Sequence, residues 1–123
     1  QGISNVIWAA GLLRLEGPEV NVALSSLCDA LASRLDSCNG QNVANTLWGL
    51  ALLDIKNATF IETMTAYLVQ RAASKSWKGV GLSHVLAQVV WANAKMGLKS
   101  HELLEATALV LSPGVCRLPD WDL

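Results

Sequence analysis

Asn42-Val43-Ala44-Asn45-Thr46-Leu47-Trp48-Gly49-Leu50-Ala51 is the stretch on which the fold turns, because its pattern returns twice in the same chain. Around Trp8 the sequence reads Asn5-Val6-Ile7-Trp8-Ala9-Ala10, and around Trp91 it reads Gln88-Val89-Val90-Trp91-Ala92-Asn93. The three tryptophans stand 40 and 43 residues apart. Three residues before each lies an amide (Asn5, Asn45, Gln88), directly before it an aliphatic (Ile7, Leu47, Val90), directly after it a small residue (Ala9, Gly49, Ala92). A fixed order at a fixed period is the signature of a repeat array.

Working outward, apolar residues recur at spacings of three and four, as in Val43, Leu47, Leu50 and Ala51, which predicts a helix with a wide apolar stripe. Each such helix is followed by punctuation and a second helical pattern: Gly17-Pro18-Glu19 before Val20 to Leu35, Asn57 before Thr59 to Ala73, and Ser100 before Glu102 to Leu111. Pro18 suits a first helical turn, Asn57 and Ser100 can cap backbone N–H groups, and Thr59 with Glu62 has capping-box spacing. Asn39-Gly40 and Gly79-Val80-Gly81 supply the breaks between units. Strand-like alternation is absent.

The expectation is an all-α fold, an α-solenoid of three tandem helix-turn-helix repeats of about forty residues. The repeats span 1–40, 41–80 and 81–112, and Pro113 ends the last helix, leaving 113–123 as an extended C-terminal tail. A helix pair of this kind cannot bury its apolar faces alone, and stacking makes one continuous core. The outermost units expose apolar surface unless further repeats or partners cover them, so the sequence reads as part of a longer repeat protein.

Composition narrows the function classes. The 123 residues are 52% hydrophobic and 15% charged, enough apolar content to form a core. Nine basic residues face ten acidic ones, so the whole chain lacks a nucleic-acid binder's basic excess. Only residues 41–80 are net basic, with Lys56, Arg71, Lys75 and Lys78 against Asp54 and Glu62. Cys28, Cys38 and Cys116 form no metal-binding spacing and read as reduced, buried thiols; no metal or cofactor is expected. The apolar runs are too short and interrupted for a membrane span. No phosphate-binding glycine loop, G-x-S-x-G elbow or H-E-x-x-H helix is present, and His84 and His101 have no evident nucleophile partner, so a binding protein is expected rather than an enzyme.

The stretch Asn42 to Ala51, with its echoes at Asn5 to Ala10 and Gln88 to Ala94, resembles the first-helix signature of octotricopeptide repeat proteins. The resemblance covers residues 1–112 and is closest in the middle unit; Ala44 and Thr46 correspond to Ser4 and Val6 in the first, and to Ala87 and Val89 in the third. It implies RNA work in a mitochondrion or chloroplast, in the company of RAP-domain repeat proteins: maturation, stability or translation of organellar mRNA, or contact with rRNA and neighbouring proteins as an embedded component of an organelle ribosome. A protein-binding scaffold of the armadillo or HEAT kind is the alternative that the helix pairs themselves leave open.

Helical repeats read RNA through side chains that recur from unit to unit. On a helical wheel Asn42, Asn45, Thr46 and Gly49 share a face, and the amides Asn5, Asn45 and Gln88 form a column able to donate to and accept from base edges. Because the amide belongs to the repeat signature, satisfying backbone groups at the inter-repeat turns is its favoured role. A second polar column, Gln1, Gln41 and His84, suits base contact and helix initiation equally. Arg71, Lys75 and Lys78 could meet phosphate, although solvated cations at a helix end are commoner. Trp8, Trp48 and Trp91 are expected in the core, whereas Trp77, beside Lys75 and Lys78, and Trp121 are the tryptophans suited to a surface role.

Overall fold

The computed structural model of the protein describes residues 2–73 and 81–116, with side chains over 2–72 and 81–109. Six α-helices follow one another among the described residues, and no strand occurs there: α1 (Gly2–Leu13), α2 (Pro18–Ala32), α3 (Gly40–Leu52), α4 (Ala58–Ala73), α5 (Leu82–Lys95) and α6 (His101–Cys116). A short 3₁₀ turn, Leu35–Ser37, lies between α2 and α3. The odd-numbered helices pack in a row, α1 on α3 and α3 on α5, and the even-numbered ones form a second row, α2 on α4 and α4 on α6. The fold is all-α and two helices thick.

The three hairpins turn in the same way. Six residues after each tryptophan sits a residue with left-handed backbone: Arg14 (φ 53°), Asp54 (φ 57°) and Gly97 (φ 72°). Its N–H donates to the carbonyl of Gly11, Ala51 or Ala94, and the next N–H, from Leu15, Ile55 or Leu98, donates back to Ala10, Leu50 or Asn93 at 2.9–3.2 Å. This pair of bonds is the Schellman cap, which satisfies carbonyls left open at a helix C-terminus. Three residues beyond the left-handed position comes the residue that precedes the next helix, Gly17, Asn57 or Ser100. Asn57 Oδ1 accepts from the Phe60 N–H and Ser100 Oγ from the Leu103 N–H; Gly17 has no side chain to do so. The hairpins therefore keep the spacing of the tryptophans, and the three extra residues between the second and third lie beyond Asn57: α4 is one residue longer than α2, and the link to α5 and the run from its start to Trp91 are each one residue longer than their counterparts before Trp48.

Several sequence expectations change here. The cap of α4 is Asn57, which leaves Thr59 inside the helix, where its carbonyl accepts from Thr63 Oγ1, and no Thr59–Glu62 box forms. The capping box belongs to α3: Asn39 Oδ1 accepts from the Asn42 N–H while Asn42 Oδ1 accepts from the Asn39 N–H. Gly40 is consequently the first helical residue and not a left-handed break; that role falls to Gly81 (φ 102°). The helix expected to stop at Pro113 runs on to Cys116. Proline's fixed φ is helical, and near a helix end it forfeits little more than one backbone bond. Residues 117–123, with Trp121, lie outside the described residues.

The odd-numbered helices each have four sides, and the same register assigns residues to them. One side faces the even-numbered row: Ile3 and Ala10, then Val43 and Leu50, then Leu86 and Asn93, all buried except the half-buried Ile3. Asn93 satisfies its amide by donating to the Val89 carbonyl and to Thr65 Oγ1 on α4. Two further sides face the neighbouring odd-numbered helices. Ser4, Ile7 and Gly11 of α1 meet Asn42, Thr46 and Gly49 of α3: Asn42 Nδ2 donates to Ser4 Oγ at 3.3 Å, and a Cβ on Gly49 would stand 2.5 Å from the Ile7 carbonyl oxygen. By the same register Ala44, Leu47 and Ala51 of α3 face Val85, Val89, Ala92 and Met96 of α5, all of them buried. The fourth side faces outward.

The even-numbered row contributes Leu24, Cys28, Leu31, Phe60, Ile61, Met64, Leu68 and Leu103 to the same core. Tyr67 closes it at the turn after α2, its hydroxyl donating to the Cys38 carbonyl at 3.0 Å. Cys28 and Cys38 are free and buried. Burial, reinforced by the adjacent Asp29 carboxylate, pushes the Cys28 thiol up to about 11, and burial also raises Cys38. Both remain inert thiols at neutral pH.

Candidate functional site

The outward side of the odd-numbered row collects the polar and aromatic residues of the repeat. It carries Asn5, Trp8 and Leu12 on α1, then Gln41, Asn45, Trp48 and Leu52 on α3, then His84, Gln88, Trp91 and Lys95 on α5. Spacings of three and four place each set along one helix face. The amide and tryptophan of each unit thus lie on adjacent turns of one surface.

The tryptophans are the main correction to the sequence reading. Trp8 is 38% and Trp91 40% exposed, and Trp48 is half-buried, so none is a core residue. The buried work is done by their neighbours Ile7 and Leu47. In sequence each odd-numbered helix has an apolar stripe wide enough for a helix covered on three sides, as α3 is, so the residue at its rim looks interior. Trp48 and Trp91 stack on each other across α3 and α5, with ring centroids 4.1 Å apart and planes inclined by 22°. The Lys95 ammonium sits 5.9 Å from the Trp91 ring centroid, within cation–π range.

The amides behave differently from the expectation as well. Asn45 does not share a face with Asn42, Thr46 and Gly49, which are buried against α1; it is half-exposed and belongs with Trp48. Instead of serving backbone at the turns, Asn45 and Gln88 are joined through Gln41, whose Nε2 donates to Asn45 Oδ1 at 2.8 Å and approaches Gln88 Oε1 at 3.5 Å. The two polar columns therefore merge across α3 and α5 beside the tryptophan pair. Asn5 and His84 are exposed on the same surface, at its two ends.

Arg71 stands apart, in the other row of helices, where its guanidinium lies 5.2 Å from the centre of the Tyr67 ring. Its companions Lys75 and Lys78, with Trp77 and Gln1, lie outside the described residues. Lys95, which sequence reasoning left out, belongs to the outward surface beside Trp91. The signal was available: His84, Gln88, Trp91 and Lys95 follow one another at helical spacing. No cluster of three or more metal-ligating side chains occurs among the described residues, and no helix there is long and apolar enough to cross a membrane.

No family model, curated protein or solved structure matches the chain.

Proposed function

We propose that the chain is a three-unit α-solenoid that binds single-stranded RNA along the outward side of its odd-numbered helices, acting by recognition and not catalysis. The observation that carries this reading is the joined surface of Gln41, Asn45 and Gln88 beside the stacked Trp48 and Trp91. Amides offer donors and acceptors to base edges, and indole faces offer stacking to any base. Lys95, next to Trp91, supplies a cation for phosphate. The setting in this proposal is a mitochondrion or chloroplast. The task is maturation, stability or translation of a transcript, or a structural place in an organelle ribosome between rRNA and neighbouring proteins.

The test is binding of the intact protein to a fluorescently labelled single-stranded RNA pool, followed by salt titration. Affinity should fall as salt rises, and Trp91→Ala should weaken it about tenfold, in line with the ~1–3 kcal/mol of one base stacked on an aromatic ring. Absence of RNA binding at low salt would sink the reading. The near-neutral charge of the chain favours a second reading, a scaffold for a protein partner. Co-sedimentation of the native protein with ribosomes separates the embedded role from that of a free factor.

A further inference from the structure

The register that organises the seam between α3 and α5 recurs, unfilled, at the two ends of the row. On α3, Ala44, Leu47 and Ala51 present a small–aliphatic–small ridge; on α5, Val89, Ala92 and Met96 receive it, and all six are buried. The ridge is repeated on the free side of α5 by Ala87, Val90 and Ala94, with Ala87 and Ala94 exposed and Val90 half-buried. Its counterpart is repeated on the free side of α1 by Val6, Ala9 and Leu13, where Val6 is 53% and Leu13 70% exposed. The match holds at these positions, while Val85, the fourth residue of the receiving side, has Gly2 as its counterpart on α1. Alanine stands at both small ridge positions in each case, valine replaces leucine between them, and the receiving side keeps valine and alanine and exchanges methionine for leucine.

From this continuity with the internal seam we infer that the protein associates head to tail, the free side of α5 in one molecule docking on the free side of α1 in a second copy. Because the two faces differ, the contact is heterologous and leaves one free face at each end of a dimer, so assembly continues into a chain or closes into a ring. Ala9 fits this docking better than the closer seam between α1 and α3, where the equivalent position is Gly49 and a Cβ would overlap backbone. The docking also brings Trp91 of one copy to Trp8 of the next, extending the outward row of indoles. Ile61 is buried and its register equivalent on α6, Leu104, is 62% exposed, so the even-numbered row presents apolar surface at the same end. None of this depends on RNA.

The experiment is sedimentation velocity of the whole chain, free of RNA, over a wide concentration range, for the wild type and for Val6→Glu and Ala94→Glu. Both substitutions fall on exposed positions, and circular dichroism checks that each variant stays helical. The wild type should grow in mass past the dimer as concentration rises. Each variant alone should be monomeric, since a buried unpaired carboxylate weakens docking by more than about tenfold. An equimolar mixture should form a dimer and stop there, because Val6→Glu keeps the α5 face and Ala94→Glu keeps the α1 face. A wild type that stays monomeric overturns the proposal, as does assembly that survives either substitution or a mixture that fails to dimerise.

Discussion

The two seams within the odd-numbered row use one register and opposite chemistry. Between α1 and α3, Gly11 and Gly49 let the backbones meet, so that a Cβ on either would come within 2.7 Å of the other helix's backbone. Between α3 and α5, position 49 is matched by Ala92, position 46 by Val89, and side chains fill the space that glycine leaves to backbone in the first seam. The wider seam carries the outward features: the Trp48–Trp91 stack and the Gln41–Gln88 contact both bridge it. A repeat fixes which positions meet, and the size of the residues there decides what the surface above the seam can display.

The sharpest way to break this contrast is to exchange the residues that define it. Gly49→Ala places a methyl 2.5 Å from the Ile7 carbonyl oxygen and 3.0 Å from the Trp8 Cα, atoms that belong to backbone and cannot swing aside. Overpacking of this kind should cost about 3 kcal/mol, read as a lowered urea midpoint. The reverse change at the equivalent place, Ala92→Gly, should cost only ~1 kcal/mol, the helix-propensity difference with a small lost contact. Equal costs at the two positions would mean that the seams do not differ in closeness.

A double-mutant cycle on the second seam probes its aromatic pair. Trp91→Ala should lower stability by about 1–2 kcal/mol, less than a core tryptophan because the ring is 40% exposed. Once Trp48 is already alanine, the same change should cost ~1 kcal/mol less, the coupling expected for stacked rings. Strict additivity would remove the stack as an interaction. Among the described residues Trp8 stacks on no ring across the first seam, so Trp8→Ala should show no coupling to Trp48→Ala.

The tryptophan spacing revealed the helix pairs and their common register, because a hairpin of constant turn length carries every downstream position with it. What stayed hidden follows from geometry that sequence does not write down. Left-handed backbone is announced by Gly97, yet Arg14 and Asp54 occupy the same conformation without any such sign. The rim position of Trp8, Trp48 and Trp91 depends on how many neighbours cover each helix, and a wide apolar stripe reads the same whether its edge is buried or wet. The amides form a column in the sequence, but the side of the helix they take is not written there: Asn45 lies three residues from Asn42 and also three from Trp48, and only packing against α1 separates the two choices.

The smallest effects test whether the hairpins are as alike as their backbone bonds. Glycine at a left-handed position avoids the roughly 1–2 kcal/mol that an L-residue pays there, against about 0.5–1 kcal/mol of extra chain entropy lost on folding. Arg14→Gly should therefore stabilise by about 0.5 kcal/mol. Asp54→Gly should gain less, since a short polar side chain tolerates this conformation, and the exposed Lys56–Asp54 pair at 3.8 Å that it removes contributes little. Gly97→Ala should lose about what Arg14→Gly gains, or somewhat more. Thermal denaturation resolves the signs, which matter more than the sizes: two gains at the first and second hairpins and one loss at the third mean that all three turns demand the same left-handed residue. A loss at Arg14 would instead place the first hairpin in a class of its own, with its arginine held by contacts that glycine cannot make.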